Sequence, residues 1–148
     1  MYLNLKAINV NGGVGADDGF GMTQATVHLD RVVLDGTVSL MGVAHSHDSS
    51  VDAIWRAVKS AVGREESDDW LLEKYLVDQK MNSSRGGISG VTRVRILAGL
   101  PLNRRRRYWG ESPVSDPFVA AAIAMLNAIN KAVVVSEIHR EEREAVTA

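Results

Sequence analysis

The chain has 148 residues, 45% of them hydrophobic, which suits one compact domain with a core of its own. Its formal charge is −1, so no general pull toward nucleic acid or an anionic membrane is expected. The absence of cysteine excludes disulfides, a Cys nucleophile and thiolate metal sites, and fits a reducing cytoplasm.

The opening MYLNLKAINV has no basic leader followed by an apolar run. No uninterrupted apolar stretch reaches the ~18 residues of a membrane span, so neither a signal peptide nor an anchor is expected. Leu3 to Val10 reads as a strand. Asn11 to Gly21 holds five glycines in eleven residues, the composition of a turn or loop. TQATVHLD alternates, with Ala25, Val27 and Leu29 on one face, and predicts a half-buried strand. Asp35-Gly36 predicts a hairpin turn into a third strand, Thr37 to Val43. Then Val51, Ile54, Trp55, Val58, Ala61 and Val62 form one apolar helix stripe that Gly63 stops. Asp48, Ser49 and Ser50 are its candidate caps.

After the charged linker REESDD the order restarts. LLEKYLVDQKM is strand-like, NSSRGGISG is a turn, and VTRVRIL alternates. A third strand runs through Tyr108 and Trp109. SDPFVAAAIAMLNAINKAVVV predicts the longest helix, capped by Ser115 or Asp116 with Pro117 in its first turn. SEIHREEREAVTA is a charged tail that extends the helix or frays.

Strand, strand, strand, helix therefore occurs twice, over 1–63 and 70–135, followed by the tail 136–148, all within a single domain 1–148. Shifted by 68 positions, Gly42 falls on Gly110, Asp48 on Asp116, Val51 on Val119, Ala53 on Ala121 and Val58 on Leu126. Upstream, Gly12-Gly13 matches Gly86-Gly87 when a longer insertion in the first copy is allowed. The expected class is α/β of the α+β type. Each unit leaves one sheet face bare unless the two pack together or against another chain.

GVAHSHDSSVDAIWRAV, Gly42 to Val58, places His45, His47 and Asp48 where strand turns into helix. The second copy, GESPVSDPFVAAAIAML, has no histidine, so Asp48 is read first as an N-cap. An H-x-H pair can bind zinc, but a third ligand is usually needed, and nothing brings His28 or His139 to it; no metal and no cofactor are expected. In Arg104 to Arg107, alternation puts Arg104 and Arg106 on one face. They are either a charged edge that deters strand pairing or a clamp for an anion. Trp55 lies on the helix stripe, and Trp109 sits where the second unit's last strand ends.

Over nearly its whole length the chain resembles the C-terminal regulatory (dimerisation) domain of the 2-isopropylmalate synthase and citramalate synthase family. The resemblance rests on ATVHLDRVVLDGTVSLMGVAHSHDSSVDAIWRAVKSAVG, on EKYLVDQKMNSSRGGISGVTRVRILAG and on SDPFVAAAIAMLNAINK. The last matches a closing-helix pattern at Ala122, Leu126, Asn127, Ala128, Ile129 and Asn130. It implies two three-strand-plus-helix units about a pseudo-twofold axis, and two associating chains. In the family this domain does no chemistry. It binds leucine or isoleucine near the junction of the two units and the dimer interface, and inhibits a catalytic barrel elsewhere on the polypeptide. Here Met1 opens the domain directly and no barrel precedes it, so a free-standing protein is expected.

The expected function is a non-catalytic homodimer. It would bind a small carboxylate or branched-chain amino acid and act on a separately encoded synthase, without nucleic acid or membrane, in the cytoplasm. The expected ligand residues are Ala44, Ser46, Ser49, Ser50, Trp109, Glu111, Ser112, Ser115 and Asp116, with Arg104 and Arg106 as the clamp. The alternative is a repurposed biosynthetic enzyme, a general acid–base cyclase or isomerase. His45 or His47 would be its base, Asp48 the orienting group and an arginine the carboxylate clamp.

Overall fold

An antiparallel meander of β1 (Tyr2–Val14), β2 (Gly21–Val33) and β3 (Gly36–Ser46) leads into α1 (Ser50–Val62). The second unit repeats this as β4 (Leu71–Asn82), β5 (Ser89–Gly99), β6 (Arg107–Ser112) and α2 (Pro117–Thr147). The computed structural model describes residues 2–14, 21–63, 70–82, 89–99, 107–113 and 116–147. Among these residues the fold is thus α+β, with two three-stranded sheets and two helices in the expected order.

Two strands run further than the sequence suggested, and α2 takes the longer of its two expected extents. β1 continues through Gly12 and Gly13, which pair with Thr23 and Met22, so these glycines belong to the ladder. β3 continues to Ser46, opposite Thr23. α2 continues through the charged segment to Thr147, and its side chains from 141 to 146 are exposed.

Alternation decides which side chains meet the helices. Ala25, Val27 and Leu29 of β2 and Val94, Ile96 and Ala98 of β5 are fully or almost fully buried. They share one core with the inner faces of both helices. Both helices present alanine at every fourth position to their own sheet: Ala53, Ala57 and Ala61 on α1, and Ala120, Ala124 and Ala128 on α2. Alanine favours helix and adds no bulk, so the helices approach the sheets closely. The approach is closest over Gly42 and Gly110, where a Cβ would lie 2.0 Å from the Ala57 carbonyl oxygen and 1.7 Å from that of Ala124. Pro117–Val134 is long and apolar enough to cross a bilayer by length and composition, and 61% of that stretch is buried in this core.

These contacts correct the alignment of the two copies. The last strand of each unit superposes at the expected shift of 68, Gly42 on Gly110, while the first strands superpose at 67 and the middle strands at 69. The helices superpose at 67, Ala57 and Ala61 on Ala124 and Ala128. The turn into α2 is one residue shorter than the turn into α1.

The first strand of each unit is bulged at the same place, at Lys6 in β1 and Glu73 in β4. Three residues before each bulge, the opposite unit's helix holds the strand. Asn130 of α2 accepts from the Leu3 N–H and donates to the Leu3 carbonyl, both at 2.9 Å. Lys59 of α1 donates to the Trp70 carbonyl at 3.3 Å, and Trp70 stacks on Tyr108 with centroids 6.3 Å apart. Each helix thus packs on its own sheet and ties down the edge of the other.

Candidate functional site

The opening of α1 is closed by its own side chains. Ser46, at the end of β3, is 5% exposed and faces the helix. Its hydroxyl donates to Asp52 Oδ2 at 2.6 Å and accepts from the Asp48 N–H at 3.0 Å and the Ser49 N–H at 3.5 Å. Ser49 is the N-cap: its backbone is extended and its Oγ accepts from the Asp52 N–H at 3.0 Å. Asp52 also receives Arg56 Nε at 2.8 Å, one turn on. The expected cap Asp48 is displaced by one position. Its side chain is exposed and makes no hydrogen bond among the described residues, because the extra residue in this turn carries Ser49 to the capping place. Ser49→Ala should therefore cost about 1 kcal/mol in urea unfolding, and Asp48→Ala close to nothing. Equal losses would reverse the assignment.

The histidines are not gathered there. His45 is a strand residue opposite Gln24, on the sheet face away from α1, while its neighbours Ala44 and Ser46 face the helix. This follows from the period of two along a strand. His47 is exposed. Neither makes a side-chain hydrogen bond to Asp48 or to any other described residue. Among the described residues no group of three His, Cys, Asp or Glu is placed to hold a metal ion. Ser50 is the first residue of α1 and is half-buried.

The second copy is built differently. Asp116 caps α2, its Oδ1 accepting from the N–H groups of Phe118 at 2.9 Å and Val119 at 3.1 Å. Ser112, the last residue of β6, faces α2 opposite Val94 and is fully buried. Its Oγ has no hydrogen-bond partner among the described residues. Trp109 and Glu111 turn to the other face of the sheet. Lys74 Nζ lies 6.0 Å from the centre of the Trp109 ring, and Glu111 pairs with Arg93. Lys74 and Trp109 flank Leu97 in the ladder and leave it 7% exposed on that outer face. Arg104, Arg106 and Ser115 lie outside the described residues. Arg107 ion-pairs with Glu73 at 2.9 Å. No hydrogen bond or ion pair joins the two helix openings among the described residues.

Three residues of α2 carry roles that composition did not reveal: Asn130 at Leu3, Asn127 donating to the Glu111 carbonyl at 2.7 Å, and Lys131 donating to the Trp109 carbonyl at 2.6 Å. On a largely apolar helix, two asparagines in four residues were the available signal. On the inner face of β4, burial pushes the Tyr75 phenol above its ordinary range, so it stays neutral through physiological pH.

The chain matches no protein-family model, and no curated protein matches it.

Proposed function

We propose that this chain is a non-catalytic ligand-sensing module built like the regulatory domain it resembles. It takes a small amino acid with an apolar side chain at the β6–α2 opening and modulates a separately encoded acyl-transferring synthase.

The observation that carries this reading is the Ser112 hydroxyl, fully buried at the end of β6 and without a hydrogen-bond partner among the described residues. A buried hydroxyl without a partner costs on the order of 1–3 kcal/mol, which a ligand's polar group would recover. The first copy has no such vacancy. Ala44 stands at the place of Ser112, and its nearest hydroxyl, on Ser46, is already engaged three ways. Both helix openings also carry an acid that opposes a bare anion: Asp116 occupies two backbone N–H groups of α2, and Asp52 accepts from the Ser46 hydroxyl and Arg56. An amino acid, with its ammonium group, suits that field better than a simple carboxylate. Coupling to a synthase then requires only that the ligand prefer one conformation of the complex.

The test is thermal unfolding with leucine, isoleucine and valine, beside the corresponding 2-oxo acids that lack the ammonium group. A bound amino acid at a hundredfold excess over its dissociation constant adds about 2.7 kcal/mol. Ser112→Ala should remove the ligand response and, with no ligand present, stabilise the protein by about 1 kcal/mol. No response to any member of the panel, or an unchanged response in the Ser112→Ala variant, refutes the proposal.

A further inference from the structure

We infer that the free edge of β3 is a self-association surface. There a second copy of this chain adds its own β3 antiparallel across a twofold axis, joining two three-stranded sheets into one of six strands.

Among the described residues there are four sheet edges, β1, β3, β4 and β6. An unguarded edge invites pairing with another strand, and proteins block edges with charges, bulges, prolines or covering side chains. Three of the four are guarded in this way. β1 is bulged at Lys6, and Asn130 occupies both backbone groups of Leu3. β4 is bulged at Glu73, carries Lys74 and Asp78, and has Lys59 on the Trp70 carbonyl at its start. β6 is short, begins at Arg107 and is followed by Pro113. Its edge carbonyls at Trp109 and Glu111 are covered by Lys131 and Asn127.

Among the described residues β3 has none of these devices. Its eleven residues, GTVSLMGVAHS, contain no Asp, Glu, Lys, Arg or Pro, and its ladder with β2 runs without a bulge. In the repeat Met41 and Val43 take the places of Trp109 and Glu111, so their carbonyls point to the free edge. On α1, Ser60 stands where Asn127 stands on α2 and makes no hydrogen bond to β3 among the described residues. Met41 is 61% exposed and Val43 39%. Arg64, at the place of Lys131, lies outside the described residues; among those the duplication covers this edge in the second copy and not in the first.

The occupant is a second copy because the strand is self-complementary. Antiparallel pairing about a twofold axis sets an uncharged apolar strand against itself, an isologous contact that closes. Overlap of the whole strand sets Met41 against its own mate and Ser39 against Val43. The inference needs no ligand, so failure of the sensing proposal leaves it standing; it supplies a specific surface for the expected homodimer.

The native chain has no cysteine, so single-cysteine variants report without background. Sedimentation of the full chain at micromolar concentrations should show a dimer. Met41→Cys should be joined by a short bismaleimide. Thr26→Cys, in the middle of the outer face on β2, should not, because edge pairing keeps the two Thr26 positions at least roughly 14 Å apart, three strand spacings. Met41→Lys should weaken association at least about tenfold with its circular dichroism unchanged. A monomer at all concentrations, cross-linking at Thr26 rather than Met41, a dimer that cross-links at neither, or undiminished association of Met41→Lys each overturns it.

Discussion

Gly110→Ala should lose about 3 kcal/mol or more of folding stability, roughly 10 °C in Tm for a chain of this size, and Gly42→Ala should do nearly the same. The added Cβ at 110 would sit 1.7 Å from the Ala124 carbonyl oxygen and 2.8 Å from the Ala128 nitrogen. At 42 it would sit 2.0 Å from the Ala57 oxygen and 2.7 Å from the Ala61 nitrogen. The obstructing atoms are helix backbone, so no rotamer change relieves the overlap and the whole helix must lift from its sheet. That separation would open gaps along both alanine stripes, which have no longer side chain to fill them. Gly12→Ala is the control: its Cβ meets only Thr23 Oγ1, at 4.0 Å, and the change should be close to neutral. Urea unfolding of the three variants decides the matter. A Gly110→Ala variant within about 1 kcal/mol of the parent would mean that the helix is not seated on β6 as described.

The same glycines show how far the sequence could be read. Gly42 and Gly110 were visible as a repeat because a close helix–sheet approach accepts no other residue there. The two-unit order, the α1 stripe and its Gly63 stop followed from periodicity, and Gly63 does end α1, with a left-handed backbone at φ 63°. Of the three candidate caps Ser49 is the one used, and Asp48, read first, is not. Asp48 and Asp116 coincide under the shift that aligns β3 with β6, but capping depends on where the backbone leaves the extended conformation. That happens at Ser49, after a turn one residue longer. The His45 cluster failed for a related reason. With β3 continuing to Ser46, adjacent residues point to opposite faces, so Ala44 and Ser46 meet the helix while His45 does not. Trp109 and Glu111 part from Ser112 by the same rule. Face and register come from ladder pairing, which a single strand's letters do not encode.

Asn130→Ala is expected to cost about 2–4 kcal/mol, although the side chain removed is small and polar. Leu3 is 2% exposed and Asn130 8%, so neither water nor another described group replaces the two lost bonds. The Leu3 N–H and carbonyl would both be left unpaired, each at roughly 1–3 kcal/mol. They are also a long-range tie between the first strand and the last helix. Loss should therefore appear as faster hydrogen exchange in β1 as well as a lower urea midpoint. Asn127→Ala is the matched control: its one bond goes to the Glu111 carbonyl near the surface, and about 1 kcal/mol or less is expected. Asn130→Asp separates hydrogen-bond loss from packing loss. Its carboxylate can still accept from the Leu3 N–H but offers no proton to the Leu3 carbonyl. Burial and that carbonyl both disfavour the charged form, so the folded-state pKa lies above the unfolded value near 3.9. A carboxyl raised in this way binds its proton more tightly in the folded state, so its stability deficit shrinks as pH falls through the folded pKa. The gap between parent and Asn130→Asp should be narrower at pH 5 than at pH 8. A pH-independent gap, or an Asn130→Ala variant as stable as the parent, would show that the Leu3 backbone finds other partners and that the two units are held together by apolar packing alone.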